Sequence, residues 1–204
     1  MSTIEHHSDA GHSHESHALP PELVAHQQRR SMILFIIADA VFFACLLLTY
    51  FYLRALNVDG MWHGPDAKTA NSIIIWVVVG VTVLSAVAYR SGEMGIRANS
   101  RSRFQTGTLV AVLLVVAAIG LTIYQMMTWP IMMSDGSYAS TLILMTGTQL
   151  VHLFIVLFIG IGIWNRGNKG KFDDGKYNHV TVVGYFWYWI ALVALLGGLT
   201  SLVV

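Results

Sequence analysis

The chain has 204 residues, 55% of them apolar and only 11% charged, with a formal net charge of +1; an ordinary soluble domain carries about 25% charged residues. This composition excludes a water-soluble globular domain, and so small a net charge gives no ground for a nucleic-acid partner. The single cysteine, Cys45, excludes a disulfide within the chain.

Crossing the ~30 Å hydrocarbon core of a membrane takes about 20 helical residues. Five stretches meet that length or nearly so: 31–55, 71–90, 105–129, 139–164 and 181–204. The alternation of a β-barrel is absent, so helices must satisfy the backbone. The expected fold is all-α, an integral membrane bundle of five transmembrane helices over residues 31–204.

Residues 1–30 precede the first span. They are polar and hold six of the nine histidines: His6, His7, His12, His14, His17 and His26. A signal peptide needs a basic start and an apolar core, and this segment has neither, so it reads as a retained cytoplasmic tail, disordered and solvated. Its histidines show no fixed spacing that defines a metal site.

In the first span, "MILFIIADAVFFACLLLTYFYLRA" (32–55), a lone carboxylate, Asp39, interrupts an apolar run. An ionised carboxylate in hydrocarbon is costly unless paired, hydrated or protonated, so Asp39 is the leading intramembrane functional candidate. Cys45, in the same span, acts as a small apolar residue. The second span offers Thr82 and Ser85, and the third Thr108, Thr122 and Gln125. The fourth carries Thr146, Thr148, Gln149 and His152. Of these, Thr148, Gln149 and His152 stand at i, i+1 and i+4, on one side of a helix that should face the bundle and find partners across it. The fifth holds "YFWYW" (185–189), with Thr200 and Ser201 near its far end. These aromatics, Tyr188 and Trp189 among them, read with Trp129 and Trp164 as interfacial anchors or packing. Glycines 147, 160, 162, 197 and 198 permit close helix approach.

The basic residues give an orientation. Arg29, Arg30, Arg90, Arg97, Arg101, Arg103, Arg166, Lys169, Lys171 and Lys176 fall on one side of a five-span topology, and only Arg54 and Lys68 on the other. The positive-inside rule therefore puts the N-terminus in the cytoplasm and the C-terminus outside.

Counting ligands bounds the chemistry. A haem between two imidazoles or a copper held by three needs several histidines at membrane depth, and a thiolate-bridged copper pair needs two cysteines. The spans hold one histidine, His152, and one cysteine. No catalytic residue, metal site or cofactor is therefore expected for this chain alone, and His152 reads as a hydrogen-bonded histidine between helices.

Three stretches resemble subunit III of the haem-copper respiratory oxidases, the cytochrome c and quinol oxidase family, in its short five-helix bacterial form. "RRSMILFIIADAVFF" (29–43) is similar to the segment in which the family's acid falls on Asp39. "SDGSYASTLILMTG" (134–147) resembles the family's loop and helix start. "TGTQLVH" (146–152) is similar to its Gly-x-His-x-x-His segment, with His152 on the second His. The chain departs from the pattern at three polar positions. Gln149 replaces the first His, Gln125 aligns with an intramembrane Glu, and Ala191, after Trp187-Tyr188-Trp189, stands where the last helix usually has an acid.

The resemblance implies an accessory, non-redox subunit in the bacterial cytoplasmic membrane. Haem and copper would lie in partner subunits, a catalytic subunit I and a subunit II, and phospholipid would be bound. The subunit would stabilise the catalytic partner and its lipid, proton and oxygen access while the complex reduces oxygen to water. Asp39 would order the interface beside the catalytic subunit and bound lipid, with Tyr188 and Trp189 at the interface or against lipid. The three departures point to a divergent oxidase or, alternatively, to a relative serving nitric oxide reduction. A small transporter is the third reading, but five spans do not divide into equal repeats and none has a central Pro.

Overall fold

The structure is a computed structural model that describes residues 20–57, 62, 70–170, 172, 177–200 and 202. Five helices follow one another: α1 Pro21–Leu56, α2 Ser72–Arg97, α3 Arg101–Thr128, α4 Ser137–Asn168 and α5 Asn178–Thr200. All five are long and apolar enough to cross a membrane. With no water at membrane depth, each backbone N–H must find a carbonyl in its own segment, and long apolar runs without interior Pro let it do so. The Asn71 side chain accepts from Ile73 N–H at 3.0 Å and starts α2. The tight α2–α3 turn puts Asn99 at φ 58°, a left-handed conformation that Asn tolerates better than most residues.

The helices alternate in direction. At one end the start of α1, the end of α2, the start of α3, the end of α4 and the start of α5 come together. Arg101 Nη2 donates there to Asn168 O, and Arg29 Nε donates to Asn178 Oδ1 at 2.9 Å. Eight of the ten basic residues grouped by sequence are described, Lys171 and Lys176 being the other two, and all eight belong to this basic end. At the opposite end Tyr50 OH donates to Thr200 O at 3.0 Å and Tyr138 N–H to Trp62 O at 2.9 Å.

Helices α2 to α5 form the core, and α1 packs on its flank against α4 and α5. The tightest contact is between α2 and α3, where a Cβ on Gly107 would lie 2.5 Å from Gly92 N. Gly160 and Gly198 meet Trp187 and Val79 as closely as the sequence suggests, whereas Gly147, Gly162 and Gly197 have open space beside them. In the half nearer the basic end, Tyr89, Phe104, Leu153 and Trp187 are buried, with Tyr89 and Trp187 stacked at 4.4 Å. In the other half Phe43, Tyr50, Tyr138 and Met145 are buried. The outer face of α1 leaves Leu34, Ile37, Val41 and Leu48 exposed, which suits a hydrocarbon solvent.

Two boundaries differ from the apolar cores. Helix α1 starts ten residues before the first apolar stretch, so His26, Gln28 and Arg29 are helical. Asn178 Nδ2 holds that extension through Gln28 Oε1 at 2.9 Å. Helix α2 continues seven residues past 90, because its last two turns pair their own charges. His6, His7, His12, His14 and His17, together with Lys68 and Ser201, lie outside the described residues, and with them the expectation of a disordered tail over 1–19; over 21–30 that expectation is corrected, because these residues form the first turns of α1.

Candidate functional site

Asp39 sits in the inward stripe of α1. Met32, Ile36, Phe43, Leu46 and Tyr50 pack on the core at steps of three and four residues around it. A carboxylate at that register must point between helices, and there it meets two donors or acceptors. His152 Nε2 of α4 lies 3.0 Å from Asp39 Oδ1, with one proton between the two atoms. Trp189 Nε1–H of α5 donates to Asp39 Oδ2 at 2.5 Å. The side chains of Asp39 and His152 are only 12% and 7% exposed. One acid thus joins α1, α4 and α5, and Phe186 closes the His152 ring edge-on with centroids 6.4 Å apart.

A second buried acid, Glu93 of α2, lies closer to the basic end, and sequence reasoning missed it. Its side chain is 2% exposed. Oε2 accepts from Arg90 Nη1 at 2.8 Å and from Tyr188 OH at 2.7 Å, and Oε1 accepts from Arg97 Nη2 at 2.6 Å. Arg97 reaches on to Thr181 Oγ1 at 3.2 Å. The signal was present as Arg90-x-x-Glu93-x-x-x-Arg97, a carboxylate with cations at i−3 and i+4. Lying just past the apolar stretch that ends at 90, it reads in the sequence as part of a charged connection.

Tyr188 and Trp189, expected at an interface or against lipid, turn their polar atoms into the bundle. Successive helical residues point about 100° apart, so these two neighbours reach different helices and hold different acids. Trp187 does the same for Ser85, its Nε1–H donating to Oγ at 3.1 Å.

The expected group of Thr148, Gln149 and His152 divides three ways. Thr148 Oγ1 donates to Leu144 O of its own helix at 2.9 Å. Of the three, His152 alone has a hydrogen-bond partner on another helix. Gln149 faces a cavity between the helices that Thr122, Gln125, Thr146 and Phe43 also line. Gln125 is buried there, so the two glutamines that break the family pattern meet around one space.

As a ligand set these residues are poor. Among the described residues no group of three or more His, Cys, Asp or Glu is placed to hold a metal ion. His26 and His179 belong to the basic end, and the Nε2 of His152 is taken by Asp39. What the arrangement does chemically is satisfy and fix two acids within a helix bundle. Breaking a buried pair of this kind by removing one partner costs about 3–5 kcal/mol.

The family model for cytochrome c oxidase subunit III matches residues 10–199. The chain is similar to the cytochrome c oxidase subunit 3 of Thermostichus vulcanus, 21% identical over 179 residues, or 83% of this chain and 86% of that protein. It is similar to the subunit 3 of Corynebacterium diphtheriae, 21% identical over 184 residues, or 85% of this chain and 88% of that protein. It also matches the subunit 3 of Drosophila melanogaster, 24% identical over 166 residues, which are 79% of this chain but only 62% of that longer protein.

Proposed function

The chain belongs to the cytochrome c oxidase subunit III family, and from that premise we propose that it is the non-redox accessory subunit of a haem-copper terminal oxidase in aerobic respiration. Oxygen is reduced to water in a catalytic subunit I that carries haem and copper, with a subunit II beside it. This chain stabilises the catalytic subunit and its access to lipid, protons and oxygen. It sits in a bacterial cytoplasmic membrane with the basic end inward, a placement supported by eight described basic residues at that end against Arg54 at the other.

The observation that carries this reading is the fastening of α1 through Asp39. Helix α1 lies on the flank of the bundle and exposes Leu34, Ile37, Val41 and Leu48. Asp39, on its inner side, is held by His152 and Trp189. An acid with protein partners on both oxygens orders a helix whose outer face is left for the catalytic subunit and lipid. Affinity purification of the chain from its native membrane in mild detergent tests the assignment. Haem proteins that consume oxygen should come with it; preferential nitric oxide consumption would move the chain to the alternative that its replacements at 125, 149 and 191 suggest. A colourless polypeptide that retains no partner would reject both.

A further inference from the structure

Three polar atoms on one stretch of α4 lack a partner. Gln149 Oε1, Gln149 Nε2 and His152 Nδ1 are buried and make no hydrogen bond. The two residues stand at i and i+3 and so share a side of the helix. The hydroxyls of Thr82 and Thr122, by contrast, return to Val78 O and Ala118 O of their own helices, whereas Thr108 Oγ1 of α3 is also buried without a partner. A Gln149 amide carries two donors and an acceptor, and here none is used. Its amide atoms are buried within this chain, and a small polar molecule held between the helices would supply the missing bonds.

The cavity beside Gln149 has room for one. About 60 Å³ is open to the centres of water-sized molecules, whereas one water needs roughly 10–15 Å³ by the same measure. Much of the wall is apolar, but Thr122 and Gln125 of α3 and Thr146 and Gln149 of α4 bring hydroxyls and amides to it. Apolar cavities stay dry, while a cavity with several convergent polar groups holds ordered water. The lining includes the start of α2, the end of α3 and the end of α5, which places it in the half of the bundle away from the basic end. His152 lies one turn further into the bundle.

We propose that this cavity is an internal water site, in which ordered waters bridge the amides of Gln149 and Gln125 and a further water, one turn along α4 and beyond the residues that line the cavity, bonds the unpaired His152 Nδ1. The imidazole is then engaged on both nitrogens, with Asp39 at Nε2 and water at Nδ1. A ring held in that way relays protons. A carboxyl proton passes to Nε2 as the Nδ1 proton passes to the water, and the reverse transfer restores the pair. The Asp39–His152 pair therefore exchanges protons with a hydrated pocket in the outer half of the bundle, without any helix moving apart. The water site stands independently of the oxidase reading, since it rests on unpaired atoms and space within this chain.

Radiolytic hydroxyl-radical footprinting of the complex purified from its native membrane tests it, because radicals born from bound water oxidise the side chains that touch that water. Phe43 lines the cavity, whereas Phe104 and Phe186 are at least as deeply buried elsewhere. The expected result is oxidation of Phe43 several-fold faster than of Phe104 or Phe186, with the excess lost in Gln149→Leu and kept in Gln149→Asn. In D2O, exchange at the imidazole C2 of His152, read by mass spectrometry, should proceed in the unmodified complex and slow in Gln149→Leu. Equal oxidation of the three phenylalanines, or xenon entering the cavity of the unmodified protein under pressure, would show a dry cavity and overturn the proposal. So would a His152 ring that does not exchange.

Discussion

Asp39 Oδ1 and His152 Nε2 lie 3.0 Å apart although 113 residues separate them in the chain. The contact explains how the apolar first span tolerates an acid: the carboxylate is neither bare in hydrocarbon nor left to lipid, but takes one partner from α4 and another, Trp189, from α5. Each partner would be costly to bury without the others.

Removing one member of that set should therefore hurt more than removing two. His152→Leu leaves an acid with a single neutral donor and should destabilise the bundle by about 3–5 kcal/mol. Asp39→Leu with His152→Leu should recover part of that loss, because two apolar groups replace the pair, the remainder being the Trp189 Nε1–H left without its acceptor. Thermal unfolding of the solubilised protein, run as a double-mutant cycle, reads the coupling; additive losses would deny that the contact matters.

The Glu93 network should respond through Tyr188. Tyr188→Phe removes a hydroxyl that donates at 2.7 Å to a buried carboxylate, a loss of about 1.5–3 kcal/mol for a hydrogen bond to a charged group. Arg90→Ala should cost less, about 0–1 kcal/mol, since the Arg90 side chain is 49% exposed and solvent screens the pair. Unfolding midpoints of the two variants in the same detergent should keep that order.

Helix contact distances make a sharp contrast between glycines. A methyl group on Gly107 would lie 2.5 Å from the Gly92 nitrogen, backbone against backbone, so Gly107→Ala must spread α2 from α3 at a cost of about 1–3 kcal/mol or more. Gly147 has nothing within 4 Å of the added carbon, and Gly147→Ala should stay within about 0.5 kcal/mol of the parent. Equal effects in the two variants would contradict the α2–α3 contact.

The helices were legible in the sequence because a hydrocarbon solvent permits little else: an apolar run of span length must close its own hydrogen bonds. Asp39 and His152 were each visible as polar groups out of place, but their pairing was not, since nothing in a single sequence reports which of several helix faces meet. Trp189 was harder still. An indole at a helix position reads equally as an anchor, as packing or as a donor, and only the approach of α5 to α1 decides. Glu93 was missed for a different reason: an acid between two arginines near a span end resembles a solvated charge run until Tyr188 is seen to cover it. Gln149 could be expected to face inward, but that its amide would meet open space depended on what Gln125, Thr122 and Phe43 left unfilled.

The most direct test of the accessory reading is the oxygen consumption, per haem, of intact complexes that carry Asp39→Asn in this chain. Asn keeps an acceptor for Trp189 and removes the charge from the contact with His152. Turnover should remain measurable, while the subunit is retained less firmly through purification. Complete loss of turnover in a complex that still holds all its subunits would contradict an ordering role and make Asp39 a required part of the reaction.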